Sequence, residues 1–182
     1  MLLVLVMLVG MIPAGVITAS AKSNYSVWVG GAEMTNGTYL AVGATATRTT
    51  KPSGGYAYYK NGTLTLNNYS YEGKGYLYNS SKGWYATVYA EQDLTVELVG
   101  TNSLKQTASL SEGIRVGGND SEERLTIQGD GSLNVTSTYC GILAWGLITV
   151  NGGTIISTAT DGGGYKSSGI LSNRDCVIIN GG

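Results

Sequence analysis

A four-residue strand pattern returns five times along the later two-thirds of the chain, and this recurrence narrows the available folds more than any other feature. Leu64-Thr65-Leu66-Asn67, Leu94-Thr95-Val96-Glu97, Leu125-Thr126-Ile127-Gln128, Ile148-Thr149-Val150-Asn151 and Val177-Ile178-Ile179-Asn180 begin 30, 31, 23 and 29 residues apart. A second pattern lies between them: Gly113-Ile114-Arg115-Val116, Gly141-Ile142-Leu143-Ala144 and Gly169-Ile170-Leu171-Ser172, each 28 residues from the last. Thr87-Val88-Tyr89-Ala90 is an earlier copy without the glycine. A third, looser strand follows the first pattern, as in Ser132-Leu133-Asn134-Val135 and Thr154-Ile155-Ile156.

Every copy reads with period two, so alternate side chains face opposite sides of a strand. Leu64/Leu66, Leu94/Val96, Leu125/Ile127, Ile148/Val150 and Val177/Ile179 form one predicted inward column pair, and Ile114/Val116, Ile142/Ala144 and Ile170/Ser172 form another. Thr65, Thr95, Thr126 and Thr149 point outward. Three short strands per repeat predict an all-β fold, a right-handed single-stranded parallel β-helix. One coil cannot bury its own inward face, so coils stack about 4.8 Å apart and share a core. Asn67, Glu97, Gln128, Asn151 and Asn180 fall in a polar column at a corner. An antiparallel sandwich or barrel also has short alternating strands, but a motif returning at this interval favours the solenoid.

Residues 22–60 are less regular and are predicted to form an N-terminal cap, with Val27-Trp28-Val29-Gly30-Gly31 as an opening strand and turn and Asn61-Gly62 as a strong turn signal. Coils are expected over 61–182. The chain stops at Asn180-Gly181-Gly182, where the fourth copy has Asn151-Gly152-Gly153 and a further strand. An open coil end is therefore expected, and with it end-to-end self-association through an unpaired edge. Residues 1–21 read as a signal peptide: an apolar run over 1–18, then Ala19-Ser20-Ala21 before Lys22. The expected location is secreted or at the cell surface, with no membrane contact after cleavage; an uncleaved anchor is the alternative.

Charge and composition remove several function classes. Eleven Lys+Arg against 12 Asp+Glu leave a net charge of −1, without the basic excess that nucleic-acid binding draws on. The chain has no His, which excludes a Ser-His-Asp triad and a histidine-ligated metal. Cys140 and Cys176 occupy non-equivalent repeat positions, so two independent thiols are expected rather than a bridge between stacked coils.

The order Val27-Trp28-Val29-Gly30-Gly31, Asn61-Gly62-Thr63-Leu64-Thr65-Leu66-Asn67-Asn68, Asp93-Leu94-Thr95-Val96-Glu97-Leu98-Val99-Gly100-Thr101-Asn102, Gly129-Asp130-Gly131-Ser132-Leu133 and Ile148-Thr149-Val150-Asn151-Gly152-Gly153-Thr154 resembles the secreted carbohydrate-binding domain-containing parallel β-helix proteins of clostridia and related gut anaerobes. The resemblance covers most of 25–182. It implies a non-catalytic, calcium-associated β-helix at the cell surface that binds plant-type polysaccharide such as cellulose or pectin.

Independently of that resemblance, ten aromatic residues crowd positions 56–89. Tyr and Trp offer a flat apolar surface with a polar handle, which suits the C–H face and hydroxyl rim of a sugar. Tyr56/Tyr58, Tyr69/Tyr71 and Tyr76/Tyr78 are each two apart, hence one face per pair, and with Trp84 they are the candidate carbohydrate-binding residues. Cap packing is the competing role for the same rings. The acidic loop Asn119-Asp120-Ser121-Glu122-Glu123 makes Asp120, Glu122 and Glu123 candidate calcium ligands, with Asp93, Asp130 and Asp161 as possible additions from adjacent corners; solvated loop charge is the plainer role. No carboxylate pair stands out in an apolar surround of the kind a glycosidase acid needs, so no enzyme is expected. A structural or adhesive stalk without a ligand is the alternative to a polysaccharide-binding module, and a polysaccharide-degrading β-helix enzyme is a more distant one.

Overall fold

The structure, a computed structural model, describes residues 26–118, 121–160 and 166–181. The signal segment expected over 1–21 lies outside the described residues, as do Asp120 and Asp161. No helix among the described residues is long and apolar enough to cross a membrane.

Four cap strands come first: β1 (Val27–Val29), β2 (Ala32–Met34), β3 (Thr38–Ala41) and β4 (Tyr56–Lys60). Gly30 and Gly31, with φ of 59° and 87°, join β1 to β2 in an antiparallel pair. Asn61 and Gly62, at 49° and 80°, turn β4 into β5 (Thr63–Asn67) in the same way. Positive φ at both positions is what a two-residue type I′ hairpin requires.

The first turn of the solenoid runs through β5, β6 (Ser70–Gly73), β7 (Tyr76–Asn79) and β8 (Trp84–Ala90). The second holds β9 (Leu94–Val99), β10 (Thr101–Gln106) and β11 (Ser111–Val116). The third holds β12 (Leu125–Gly129), β13 (Ser132–Ser137) and β14 (Cys140–Ala144). The fourth holds β15 (Ile148–Val150), β16 (Thr154–Ala159) and β17 (Ser168–Ser172), and β18 (Val177–Ile179) starts another. Like positions stack in parallel as three sheets: β5-β9-β12-β15-β18, β6-β10-β13-β16 and β8-β11-β14-β17, here the first, second and third sheets. The parallel β-solenoid expected from the repeats is the fold. The cap strands extend it antiparallel, β3-β4 beyond β5 and β2-β1 beyond β8.

The inward columns form the core. Leu64, Leu66, Leu94, Val96, Leu125, Ile127, Ile148, Val150, Ile114, Val116, Ile142 and Ala144 are all buried. Leu94, Leu125 and Ile148 pair in one row, as the repeats predict. The first coil departs from that alignment: Leu64 stands beside Val96 and Leu66 beside Leu98, two residues further along. A shift of two preserves which face is inward, and β5 is also tied to β4 through the tight Asn61-Gly62 turn. Asn67 therefore leaves the polar column and lies beside Val99, while Thr65 takes its place next to Glu97.

Corners are closed by polar groups reaching between coils. Buried Asn102 accepts from the Tyr69 amide and donates to the carbonyls of Val99 and Ser132, spanning three turns. The glycines of the second pattern have a steric cause. A Cβ on Gly113 would overlap the Val135 side chain and the Gly141 carbonyl, and one on Gly141 would overlap Ser157. Both cysteines are free, Cys140 buried and Cys176 exposed.

Ile127→Ala, in the middle of the stack, should cost about 2–5 kcal/mol, whereas Ile156→Ala, at a side chain 58% exposed, should stay within about 0.5 kcal/mol. Gly113→Ala should destabilise by about 1–3 kcal/mol through overpacking. Urea denaturation followed by circular dichroism measures all three.

Candidate functional site

The candidate aromatic residues separate into three places. Tyr56 and Tyr58 stand half-exposed on the outer side of β4. Tyr39, from β3, stacks on Tyr58 at 4.2 Å between centroids and meets Tyr56 edge-on at 5.4 Å. Lys51 lies 5.4 Å from the Tyr56 ring centre. Sequence reasoning missed Tyr39, which sits in a stretch with no period of its own and reaches the group only through pairing with β4.

This cluster heads the outer face of the first sheet. Along one row Tyr39 and Tyr58 lead to Thr65, Glu97 and Gln128; Asn151 and Asn180 continue that edge. Gln128 Nε2 donates to Glu97 at 2.7 Å, and Asn180 Nδ2 to Asn151 at 2.9 Å. A parallel row carries Thr63, Thr95, Thr126 and Thr149. Period two sends these side chains outward because the alternate leucines, isoleucines and valines fill the core.

Tyr69 and Tyr71 lie on the inner side, contrary to a place in a surface patch. Tyr69 is 1% exposed. Tyr71 packs against the core, where its ring fills the space beside Gly30 and Gly73 and its hydroxyl accepts from the Gly75 amide at 2.8 Å. Both rings close the cap end of the second sheet, whose first strand is β6.

Tyr76, Tyr78 and Trp84 belong to a larger group on the third sheet. Trp28 stacks on Tyr76 at 4.5 Å, Tyr76 lies 5.3 Å from Tyr89, and Tyr89 stacks on Tyr78 at 5.2 Å with the rings 6° from parallel. Tyr78 is 6.2 Å from Trp84. The Arg115 guanidinium caps the Tyr78 ring at 4.4 Å and stands 5.8 Å from Trp145, over which Arg174 lies at 5.7 Å.

Beneath these rings lies a buried ion pair. Arg115 Nη1 donates to Glu112 Oε1 at 3.1 Å, with Glu112 1% and Arg115 5% exposed at the side chain. The Tyr78 hydroxyl is 2.9 and 3.0 Å from the two Glu112 oxygens. Residues three apart face opposite ways in a regular strand. Here Glu112 pairs with Cys140 and Ile114 with Ile142 in unbroken register, yet the two charged side chains meet on one side. The preceding residue of a Gly-Ile pattern gave no sign of this role in the sequence. Burial raises the Glu112 carboxyl to about 7 despite the opposing pull of Arg115 and Tyr78. Burial also holds the Tyr78 and Tyr89 hydroxyls above their usual range and pushes the Cys140 thiol up to about 12.

The acidic loop is described from Ser121 onward. Glu122 is exposed, while Oε2 of half-buried Glu123 is enclosed without a hydrogen-bond partner. Asp93 accepts from the Arg124 amide at 3.0 Å. No group of three His, Cys, Asp or Glu suited to a metal converges among the described residues, and Asp120 lies outside them. Compared with known proteins, the chain matches no protein-family model, no curated protein and no solved structure.

Glu112 makes stability depend on pH with a definite sign. Folding raises its pKa from 4.5 to about 7, so the native state holds a proton that the unfolded chain releases in that window. Its contribution is therefore fully present below pH ~4.5 and is lost as pH rises through ~7. Tyr78, Tyr89 and Cys140, the neighbouring titratable groups with resolved shifts, are displaced upward from that window. The stability of the wild-type protein relative to Glu112→Gln should fall between pH 5 and 8, as read by denaturant midpoints at each pH. A constant difference would contradict the assignment.

Proposed function

We propose that the protein is a non-catalytic polysaccharide-binding module of the cell exterior, and that the outer face of the first sheet holds the glycan. The observation that carries this reading is the regularity of that face. Half-exposed Tyr39, Tyr56 and Tyr58 stand at its head, and Thr, Gln and Asn side chains follow at one strand spacing, about 4.8 Å. A sugar ring stacks its C–H face on an aromatic ring and exchanges hydroxyl hydrogen bonds with amides and hydroxyls. A repeating polymer lying along the solenoid axis would meet the same groups turn after turn. Plant-type glycans, cellulose or pectin, are the substrate class this reading starts from.

The contacts invoked here do not draw on calcium, expected on Asp120, Glu122 and Glu123. End-to-end self-association is the second partner we propose. Val177 and Ile179 pair with buried Ile148 and Val150, yet are 38% and 68% exposed. A second copy stacked on this edge would cover them.

Retention on insoluble cellulose and in pectin affinity gels is the direct test, with Tyr58→Ala and Gln128→Ala as probes. Each should weaken binding by about tenfold, since an aromatic or amide anchor at a binding face is worth roughly 1 kcal/mol or more, while leaving the unfolding midpoint little changed. Binding should persist in a calcium chelator. No retention on either polymer, or loss of stability without loss of affinity, would favour a structural stalk instead.

A further inference from the structure

Where the second sheet turns into the third, successive coils place Trp84, Leu110 and Tyr139 around a cleft of about 40 Å³ that buried Glu112 also lines. A few tens of Å³ admits one or two water-sized groups, too little for a whole sugar ring. The walls are two aromatic rings and a leucine side chain. The corner is held in place by Ser111, whose hydroxyl donates to the Ala108 carbonyl at 3.0 Å and lies 2.9 Å from the Thr138 hydroxyl.

Glu112 is the acidic group of this cleft. One phenolic proton, from Tyr78, is shared by both oxygens, and Arg115 reaches only Oε1. A carboxyl oxygen can accept more than one hydrogen bond, so Glu112 has room for a further donor from the cleft. A ligand hydroxyl entering the cleft would donate to that carboxyl group. Two cations already border the cleft: Arg115 over the Tyr78 ring, and Lys82 4.5 Å from the Trp84 ring centre. A further positive charge is disfavoured there, so the donor should be neutral.

We propose that this cleft binds the hydroxymethyl or hydroxyl edge of a neutral sugar, whose hydroxyl donates to Glu112 while its ring rests at the mouth against Trp84 and Tyr139. The site lies on a different sheet from the polysaccharide face and does not depend on it.

Titration of isotope-labelled protein with free glucose, galactose and xylose, read by amide chemical shifts, tests the assignment. Saturable shifts are expected at Leu110, Glu112 and Tyr139, with millimolar affinity, at least tenfold weaker in Tyr139→Ala. Leu110→Phe, which fills the cleft, should abolish them and serves if Tyr139→Ala fails to fold. The proposal is overturned if none of the three sugars shifts those amides saturably. It is also overturned if both variants bind as the wild type does, or if glucosamine in its ammonium form binds where the neutral sugars do not. Retention on polysaccharide and the response to Tyr58→Ala report on the other face alone, so either reading can fail without the other.

Discussion

The fold depends on inward aliphatic side chains meeting their counterparts one coil away. Leu94, Leu125 and Ile148 stand in one row because three strands run parallel in register, and all three belong to one buried core. Hydrophobic burial is non-directional, so by itself it does not fix the register. The backbone ladders and the corner groups do. Asn102 links three turns, and the glycine column admits only a backbone that approaches closely. Apolar stacking supplies the drive, and these polar and steric devices select one stacking.

The cap follows from the same constraint. A stack of parallel strands has a first strand on each sheet whose edge is unpaired, a hazard that proteins cover. The first and third sheets are covered by antiparallel strands, reached through two-residue turns that need Gly-Gly and Asn-Gly. The second sheet begins with β6, and there Tyr69 and Tyr71 fill the end of the core with rings in place of a strand. The aromatic crowding of the first coil thus divides between closing an end and facing solvent.

This division marks how far the sequence could be read. The Leu-Thr-Leu and Gly-Ile patterns carry strand identity and facing directly, because period two and burial are local properties. The two-residue offset of Leu64 was hidden, since the offset leaves every side chain on the same face and only the pairing with β4 records it. Tyr69 and Tyr58 look alike in the sequence: each has a second tyrosine two positions away. One is buried and the other is not because Tyr69 faces the core and Tyr58 the outer side of its sheet, which is a tertiary fact. Glu112 was illegible for a related reason. Regular alternation assigns it and Arg115 to opposite faces, yet the two meet in a buried ion pair that no local pattern announces.

The first and third sheets share their repeat and differ in what their outer sides can still do. On the third sheet, Trp28, Tyr76, Tyr89 and Tyr78 cover one another in sequence, and Arg115 covers the last. Rings packed in this way stabilise the sheet through burial and stacking, and a ligand would have to displace one ring to use another. On the first sheet the mutual contact stops at Tyr39, Tyr56 and Tyr58, and beyond them the rows are short polar side chains on a nearly regular lattice. A flat polymer needs that kind of surface, open, polar and periodic, whereas a single sugar edge needs a recess with one strong acceptor. The cleft at Glu112 is a recess beside that aromatic cover, with a carboxyl acceptor in its wall. Local geometry, not the number of aromatic residues, therefore separates a surface suited to a chain from a pocket suited to a single group.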